Sequence, residues 1–356
     1  MILTSLHLLH WRGYEELELS FDRGLTVILG PNGAGKTNLA EAIGYLSLAR
    51  SWRTSDDRLL ISKGQGGAAL SARLEEGQRK RTVEITLGKQ LKKVSVNGKP
   101  CRRLSELKDF ANVISFCPED ASLFLSSPSA RRSIIDVALS KEDETYFSLI
   151  STASKLLKER NQALKATRID ERVVDVLTDQ LAEVEAPIIE KRRSYCDALN
   201  SALPGILSSL RGVTTACRLV YLPFVKEGEG LAERARNAHE QAYEADCLHH
   251  STGNGTHRED FRFEFEGKDV ALYGSQGENR LCSLALKLAP YFLVEEEEKK
   301  PIVVLDDVTS ELDPGHRNNL LSLLKGFSQV FLTATDLEVE GASIIDVASH
   351  KATRRN

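Results

Sequence analysis

One octapeptide narrows this chain to a small set of folds. Gly30-Pro31-Asn32-Gly33-Ala34-Gly35-Lys36-Thr37 matches G-x-x-x-x-G-K-[ST] in full. An apolar run, Leu25 to Leu29, precedes it, and Leu39, Ile43 and Leu46 follow at helical spacing. Strand, glycine loop and helix in that order form a phosphate cradle. Backbone N–H groups close around phosphate oxygens, Lys36 neutralises the β- and γ-phosphates, and Thr37 offers its hydroxyl to Mg²⁺.

A second motif lies some 270 residues downstream. "PIVVLDDVTSELDP" carries a continuous apolar run, Ile302 to Leu305, as expected of a strand buried on both faces. Asp306 and Asp307 follow at its C-terminal end, where open α/β sheets place their ligands. Asp306 is expected to hold Mg²⁺. Asp307 is expected to orient and deprotonate an attacking water. The expected catalytic residues are therefore Asp307 and Lys36.

Between the motifs the pattern changes twice. Residues 68–96 alternate apolar and polar residues over three runs, a β-meander, and Asn97-Gly98 is a type I′ hairpin signal. Lys89 and Lys93 are expected to align, with Val94 and Val96 divided between the two faces. From about Pro128 the period is helical. One stripe carries Tyr146, Ala153, Leu157 and Leu164. After a polar break at residues 167–171 a second carries Val173, Leu177, Leu181, Val184, Ile188, Tyr195 and Leu199. Two such helices form an antiparallel hairpin. Strand-like runs return after about Pro204, while residues 226–255 are weakly patterned. The expected organisation is an α/β head from residues 1–120 and 205–356, with a helical arm, 121–204, inserted.

"YGSQGENRLCSLALKLA" then poses a question, because Ser275-Gln276-Gly277 open a helix and a helix start is an anion site. One subunit's nucleotide has no use for a second cradle. In ATPases that pair head to tail, such a helix start caps the γ-phosphate held by the partner. Ser275, Gln276 and Gly277 are accordingly expected to complete a facing copy's site, with "SELD" (310–313) crossing the same interface.

Composition limits the alternatives. Apolar residues make up 41% of the chain, which excludes wholesale disorder. No apolar run approaches a membrane span, the N-terminus lacks signal-peptide features, and six scattered cysteines form no CxxC. A cytoplasmic location is expected. The net charge of −4 hides segregation: residues 79–108 contain ten basic and two acidic residues, a local +8. This segment is an expected phosphate-binding surface for a polyanionic partner.

"HWRGYEELELSF", "GPNGAGKTNLAEAI", "RSWRTSDDRLL", "FCPEDASLF", "PSARRSIID", "GTHREDFRFEF", "SQGENR" and "LDDVTSELD" together closely resemble the RecF family, beside the SMC-like proteins, over most of the chain. The resemblance implies an ABC-type P-loop ATPase head with an antiparallel β-subdomain and an inserted α-helical hairpin. It also implies an ATP-dependent DNA-binding dimer of recombinational repair. Such a dimer binds gapped or single-strand/double-strand junction DNA, assists recombinase loading with a RecR-type mediator, and hydrolyses ATP slowly. Transporter-type heads carry a His after the last core strand and a mediator glutamine. Here Thr335-Asp336 and Glu119-Asp120 stand at those places, and in "SQGENR" the acid Glu278 stands where a glutamine is usual in this family. A transporter ATPase subunit shares the P-loop and signature helix, but not the arm or the Asp-Asp pair. His257, Arg258, Arg131 and Arg132 are weaker contact candidates.

Overall fold

The computed structural model describes residues 1–89, 91–101, 104–226 and 228–355. The chain divides into two compact units. One comprises residues 1–121, 205–214 and 284–356, the other 122–204 and 215–283.

The first unit contains two six-stranded sheets. In the antiparallel one, Ile2–Trp11 lies between Tyr14–Ser20 and Gly67–Glu76, followed by Arg79–Gly88, Lys92–Val96 and Lys99–Pro100. Asn97 and Gly98 both have positive φ, 49° and 73°, as the hairpin signal requires. Val94 and Val96 share the buried face instead of dividing between two faces. Residues two apart on a strand point the same way.

The second sheet is parallel except at one edge. From that edge its order is Lys351–Arg354, Ser343–Ala348, Gly24–Leu29, Gln329–Ala334, Ile302–Leu305 and Val113–Phe116. Ile302–Leu305 and Gln329–Ala334 are buried at every position. The helix Lys36–Tyr45 contributes Leu39, Ala40, Ala42, Ile43 and Tyr45 to a core that also includes residues of both sheets.

The second unit is mainly helical: Pro128–Glu142, Glu144–Leu164, most of Glu171–Arg211, Leu231–Gln241 and Tyr243–His249, with strands Cys217–Leu222, Asp260–Phe265 and Lys268–Asp269. Arg160 bonds Thr178 and Arg192 bonds Tyr146, so the two long helices run antiparallel. The inward stripe follows the expected one at Tyr146, Ala153, Leu164, Leu181, Ile188, Tyr195 and Leu199 and departs from it by one residue at two places. Leu156 is buried while Leu157 is only half-buried, and Val174 is buried while Val173 is 46% exposed.

The second long helix also continues past Pro204 to Arg211. A helical proline costs about 3 kcal/mol. Leu203, Ile206, Leu207 and Leu210 are all buried around it. At about 1.5–3 kcal/mol each, they outweigh that cost. Residues 215–283, grouped with the head on sequence grounds, cluster with the helices instead.

Buried charge explains that clustering. Arg192 forks onto both carboxylate oxygens of Asp136 at 3.1 and 2.9 Å, donates to the Thr256 carbonyl at 2.8 Å, and pairs with Glu259. Arg160 donates to Asp246 and Thr252, both at 2.7 Å. Glu185 accepts from His239 at 2.7 Å and from the Thr256 N–H at 2.8 Å. These links tie the helical pair to the weakly patterned stretch, which contains two short helices.

Removing one partner of a buried ion pair costs about 3–5 kcal/mol. Arg192→Met is therefore expected to lower the stability of this unit by that order, seen as an earlier urea transition in far-UV ellipticity. Trp11 and Trp52 lie in the other unit, so their fluorescence separates the two responses. An unchanged ellipticity midpoint would contradict the assignment.

Candidate nucleotide site

The P-loop leaves the C-terminal end of Gly24–Leu29 and enters Lys36–Tyr45. Two of its glycines are required by close approach. A Cβ on Gly30 would sit 2.1 Å from the Val347 carbonyl oxygen. A Cβ on Gly35, at φ 116°, would meet His350 Nδ1 at 2.8 Å and the Tyr14 hydroxyl at 3.0 Å. The loop is further held by the His350 N–H donating to the Ala34 carbonyl at 2.8 Å and by Tyr14 Oη donating to the Gly35 carbonyl at 3.1 Å.

Lys36 Nζ folds back on its own loop, donating to the carbonyls of Gly30 at 2.7 Å and Pro31 at 3.0 Å. Burial pulls its pKa below the usual lysine value, against the opposing pull of Asp307 and Asp306. An arriving phosphate would give this ammonium a stronger, charged acceptor.

The two motifs meet. Thr37 Oγ1 donates to Asp306 Oδ1 at 3.1 Å, joining residues 269 positions apart. Asp306 is buried, which raises its pKa, while bonds from Thr333 and Thr37 counter the rise. A carboxylate and a hydroxyl at the sheet's C-terminal edge are the hard oxygen donors Mg²⁺ takes beside a polyphosphate. The residues present fit that ion. Asp307 lies at φ 52°, half-buried, beside Asp306.

Several supports were not legible as site residues. Glu41, fully buried on the P-loop helix, accepts from Arg12 Nε at 2.8 Å and Nη2 at 2.7 Å. Trp11 Nε1 donates to the Asn38 carbonyl at 3.2 Å, and Arg53 Nη1 donates to Asn38 Oδ1 at 3.0 Å. The "HWRGY" and "RSWRT" segments thus brace the first turns after the P-loop. Asp120 pairs with Lys287 at 2.9 Å and accepts from the Cys117 N–H. Thr335 and Asp336 are exposed.

Ser275, Gln276 and Gly277 belong to the second unit and are exposed at the start of the helix Gln276–Leu293. Ser275 and Glu278 form a reciprocal cap. The Ser275 N–H and Oγ donate to the Glu278 carboxylate at 2.7 and 2.8 Å, and the Glu278 N–H donates back to Ser275 Oγ at 3.2 Å. Buried Asn279 donates to the carbonyls of Val270, Gly274 and Ser275, fixing the turn. The weaker candidates have internal partners in this unit. Arg131 pairs with Asp260, Arg132 with the Glu259 carbonyl, and the His257 ring with the Thr252 carbonyl. The Arg258 N–H donates to the Gly255 carbonyl.

The basic strands are less open than their composition suggests. Lys92 pairs with Asp57 at 2.7 Å over the Tyr45 ring, and Arg81 pairs with Glu76. Arg79, Lys80, Lys89, Lys93 and Lys99 are exposed, although Lys80 also meets Glu75 at 3.4 Å. Arg102 and Arg103 lie outside the described residues.

Comparison with known proteins is consistent with this geometry. The family model for the RecF/RecN/SMC N-terminal domain matches residues 2–351. A DNA replication and repair protein RecF of Geobacillus kaustophilus is 37% identical over 98% of this chain and 96% of its own. One of Lactobacillus johnsonii is 35% identical over 95% and 93%. A solved structure described as the recombination mediator protein RecF with ATPrS in the RecFOR pathway superposes with a TM-score of 0.90 at 30% identity, covering 99% of this chain and 98% of that one. An Smc head domain from Pyrococcus furiosus, at 17% identity and a TM-score of 0.61, shares the fold.

Proposed function

The chain belongs to the RecF family of DNA replication and repair proteins, within the RecF/RecN/SMC N-terminal domain family, and from that premise we propose that it is a slow, DNA-associated ATPase that ATP converts into a DNA-binding dimer. The observation that carries this reading is the meeting of Lys36, Thr37, Asp306 and Asp307 at one sheet edge. ATP is the nucleotide, as it is in the related RecF–ATP structure. Thr37 and Asp306 hold Mg²⁺, which supplies charge neutralisation of the β- and γ-phosphates. Lys36 leaves its loop carbonyls for those phosphates. Asp307 orients the attacking water and takes its proton.

Ser275, Gln276 and Gly277 act in trans, capping the γ-phosphate of a second copy. Two ATPs are then enclosed by two copies, and nucleotide state sets DNA affinity. The DNA is gapped, single-stranded or junction DNA, and a RecR-type mediator is the protein partner in recombinase loading. A cytoplasmic site of action follows from that role. Among the described residues no helix is long and apolar enough to cross a membrane. A transporter subunit finds no support among the relatives compared.

Gel shift with duplex, single-strand and gapped or junction DNA, with and without ATP, tests this reading. ATP-stimulated binding that favours gapped or junction DNA is expected, and ATP-independent binding would contradict it. Changing Arg79, Lys89, Lys93 and Lys99 together to Ala is expected to weaken binding. It should flatten the salt dependence by up to about four phosphate equivalents, with ATP affinity unchanged. Unchanged affinity and salt slope would remove the strands from the DNA surface.

A further inference from the structure

The P-loop strand and the acidic strand are not neighbours. Gln329–Ala334 runs between them, paired with Gly24–Leu29 on one side and Ile302–Leu305 on the other. Every residue of that middle strand is buried. Such a position calls for an apolar β-branched residue, and Val330 shows the preference. Thr333 stands there instead, 1% exposed, opposite Ile28 of the P-loop strand. A buried hydroxyl has to be satisfied, and this one is satisfied by the Asp306 carboxylate and the Asp307 backbone N–H. The Asp307 N–H donates to Thr333 Oγ1 at 2.9 Å. The hydroxyl therefore accepts there, and its single proton goes to Asp306 Oδ1 at 2.7 Å.

We infer that Thr333 is a positioning residue for ATP turnover. It is one hydroxyl that sets the direction of the Asp306 carboxylate and the backbone turn of Asp307 together. Thr37 donates to the same Asp306 Oδ1, so two hydroxyls, one from the start of the P-loop helix and one from the middle strand, converge on one oxygen and fix the carboxylate's rotation. The bond to the Asp307 N–H holds a residue at φ 52°, a left-handed conformation that Asp tolerates better than most side chains but does not prefer. Without that bond the turn can relax toward ordinary φ and carry the Asp307 carboxylate away. The inference rests on the ATPase reading of the site and adds a residue to it.

Thr333→Val keeps the shape and removes both bonds. Partners that orient metal-ligating groups are commonly worth 10–100-fold in metal affinity or activity. Thr333→Val is therefore expected to lower kcat about 10–100-fold and to raise the Mg²⁺ concentration for half-maximal turnover about 10-fold, while ATP affinity in saturating Mg²⁺ changes less than about 3-fold. Thr333→Ser restores the hydroxyl and is expected within about 3-fold of wild type on every count, by the same reasoning.

Equilibrium binding of a fluorescent ATP analogue, titrated against Mg²⁺, reads the metal requirement without turnover. Unchanged kcat and Mg²⁺ demand in Thr333→Val would overturn the inference. So would a Thr333→Ser variant as defective as Thr333→Val, since the lost methyl would then be the cause. If Thr333→Val does not fold, Thr333→Cys keeps the volume with a weaker donor and acceptor. It is expected to shift the Mg²⁺ requirement in the same direction, and no shift overturns the inference. If wild type itself hydrolyses no ATP, the ATPase reading fails, and the analogue titration still decides the role of Thr333.

Discussion

Asp307→Asn is expected to bind ATP as tightly as wild type and to turn it over at least about 100-fold more slowly, the usual worth of a positioned general base. The substitution tests chemistry alone for a structural reason. Asp307 sits at φ 52°, a conformation that asparagine, unlike most residues, adopts readily. The Thr333 bond is to the backbone N–H and survives the change. Losing a negative charge beside the γ-phosphate does nothing to weaken ATP binding. Lys36→Met is the complementary case. It removes the ammonium that now rests on the Gly30 and Pro31 carbonyls. ATP affinity is expected to fall about 10–100-fold, the worth of a charged hydrogen bond. ATP affinity by titration calorimetry and phosphate release check both variants. A normal rate for Asp307→Asn removes Asp307 from the base role.

Ser275→Arg is expected to abolish ATP-driven self-association while leaving ATP binding intact. Ser275 is exposed at the helix start, so a longer side chain is accommodated within one chain. In the proposed dimer the same position faces a γ-phosphate and a P-loop, where a bulky guanidinium obstructs approach. The change also removes the Oγ that receives the Glu278 N–H, at a cost of about 1 kcal/mol in capping. That is too little to unfold the unit. Mixing Lys36→Met with Ser275→Arg offers a sharper check. Their heterodimer has one composite site with both defects and one with neither, so it is expected to regain association through that single site. A Ser275→Arg variant that dimerises normally with ATP would take the signature turn out of the interface.

The nucleotide motifs were legible because they are local. Gly30 to Thr37 and Asp306-Asp307 each sit within a few residues of an apolar strand whose burial follows from its composition. The helical pair was legible by period, although off by one residue at Val173/Val174 and Leu156/Leu157. Apolar residues adjoin there, and period alone does not choose between them. Pro204 was misread as a stop because the sequence shows its local cost and not the surrounding burial of Leu203, Ile206, Leu207 and Leu210. The stretch 226–255 was illegible for another reason. It is held by Asp246, His239 and Thr252 bonding to Arg160, Glu185 and Asn161, contacts 54 to 92 residues away in sequence. Polar residues buried by distant partners leave no periodic trace. Thr333 and Glu41 belong to the same class. Lys92 shows the converse, a residue counted as open positive charge that Asp57 occupies.

The mass of the wild-type chain in solution, measured by light scattering with ATP and Mg²⁺ and again without nucleotide, decides whether the sites pair. Twice the 39.4 kDa of one chain is expected with ATP and Mg²⁺, and a single chain's mass without nucleotide. A chain that binds ATP and remains at 39.4 kDa would contradict the paired-site mechanism.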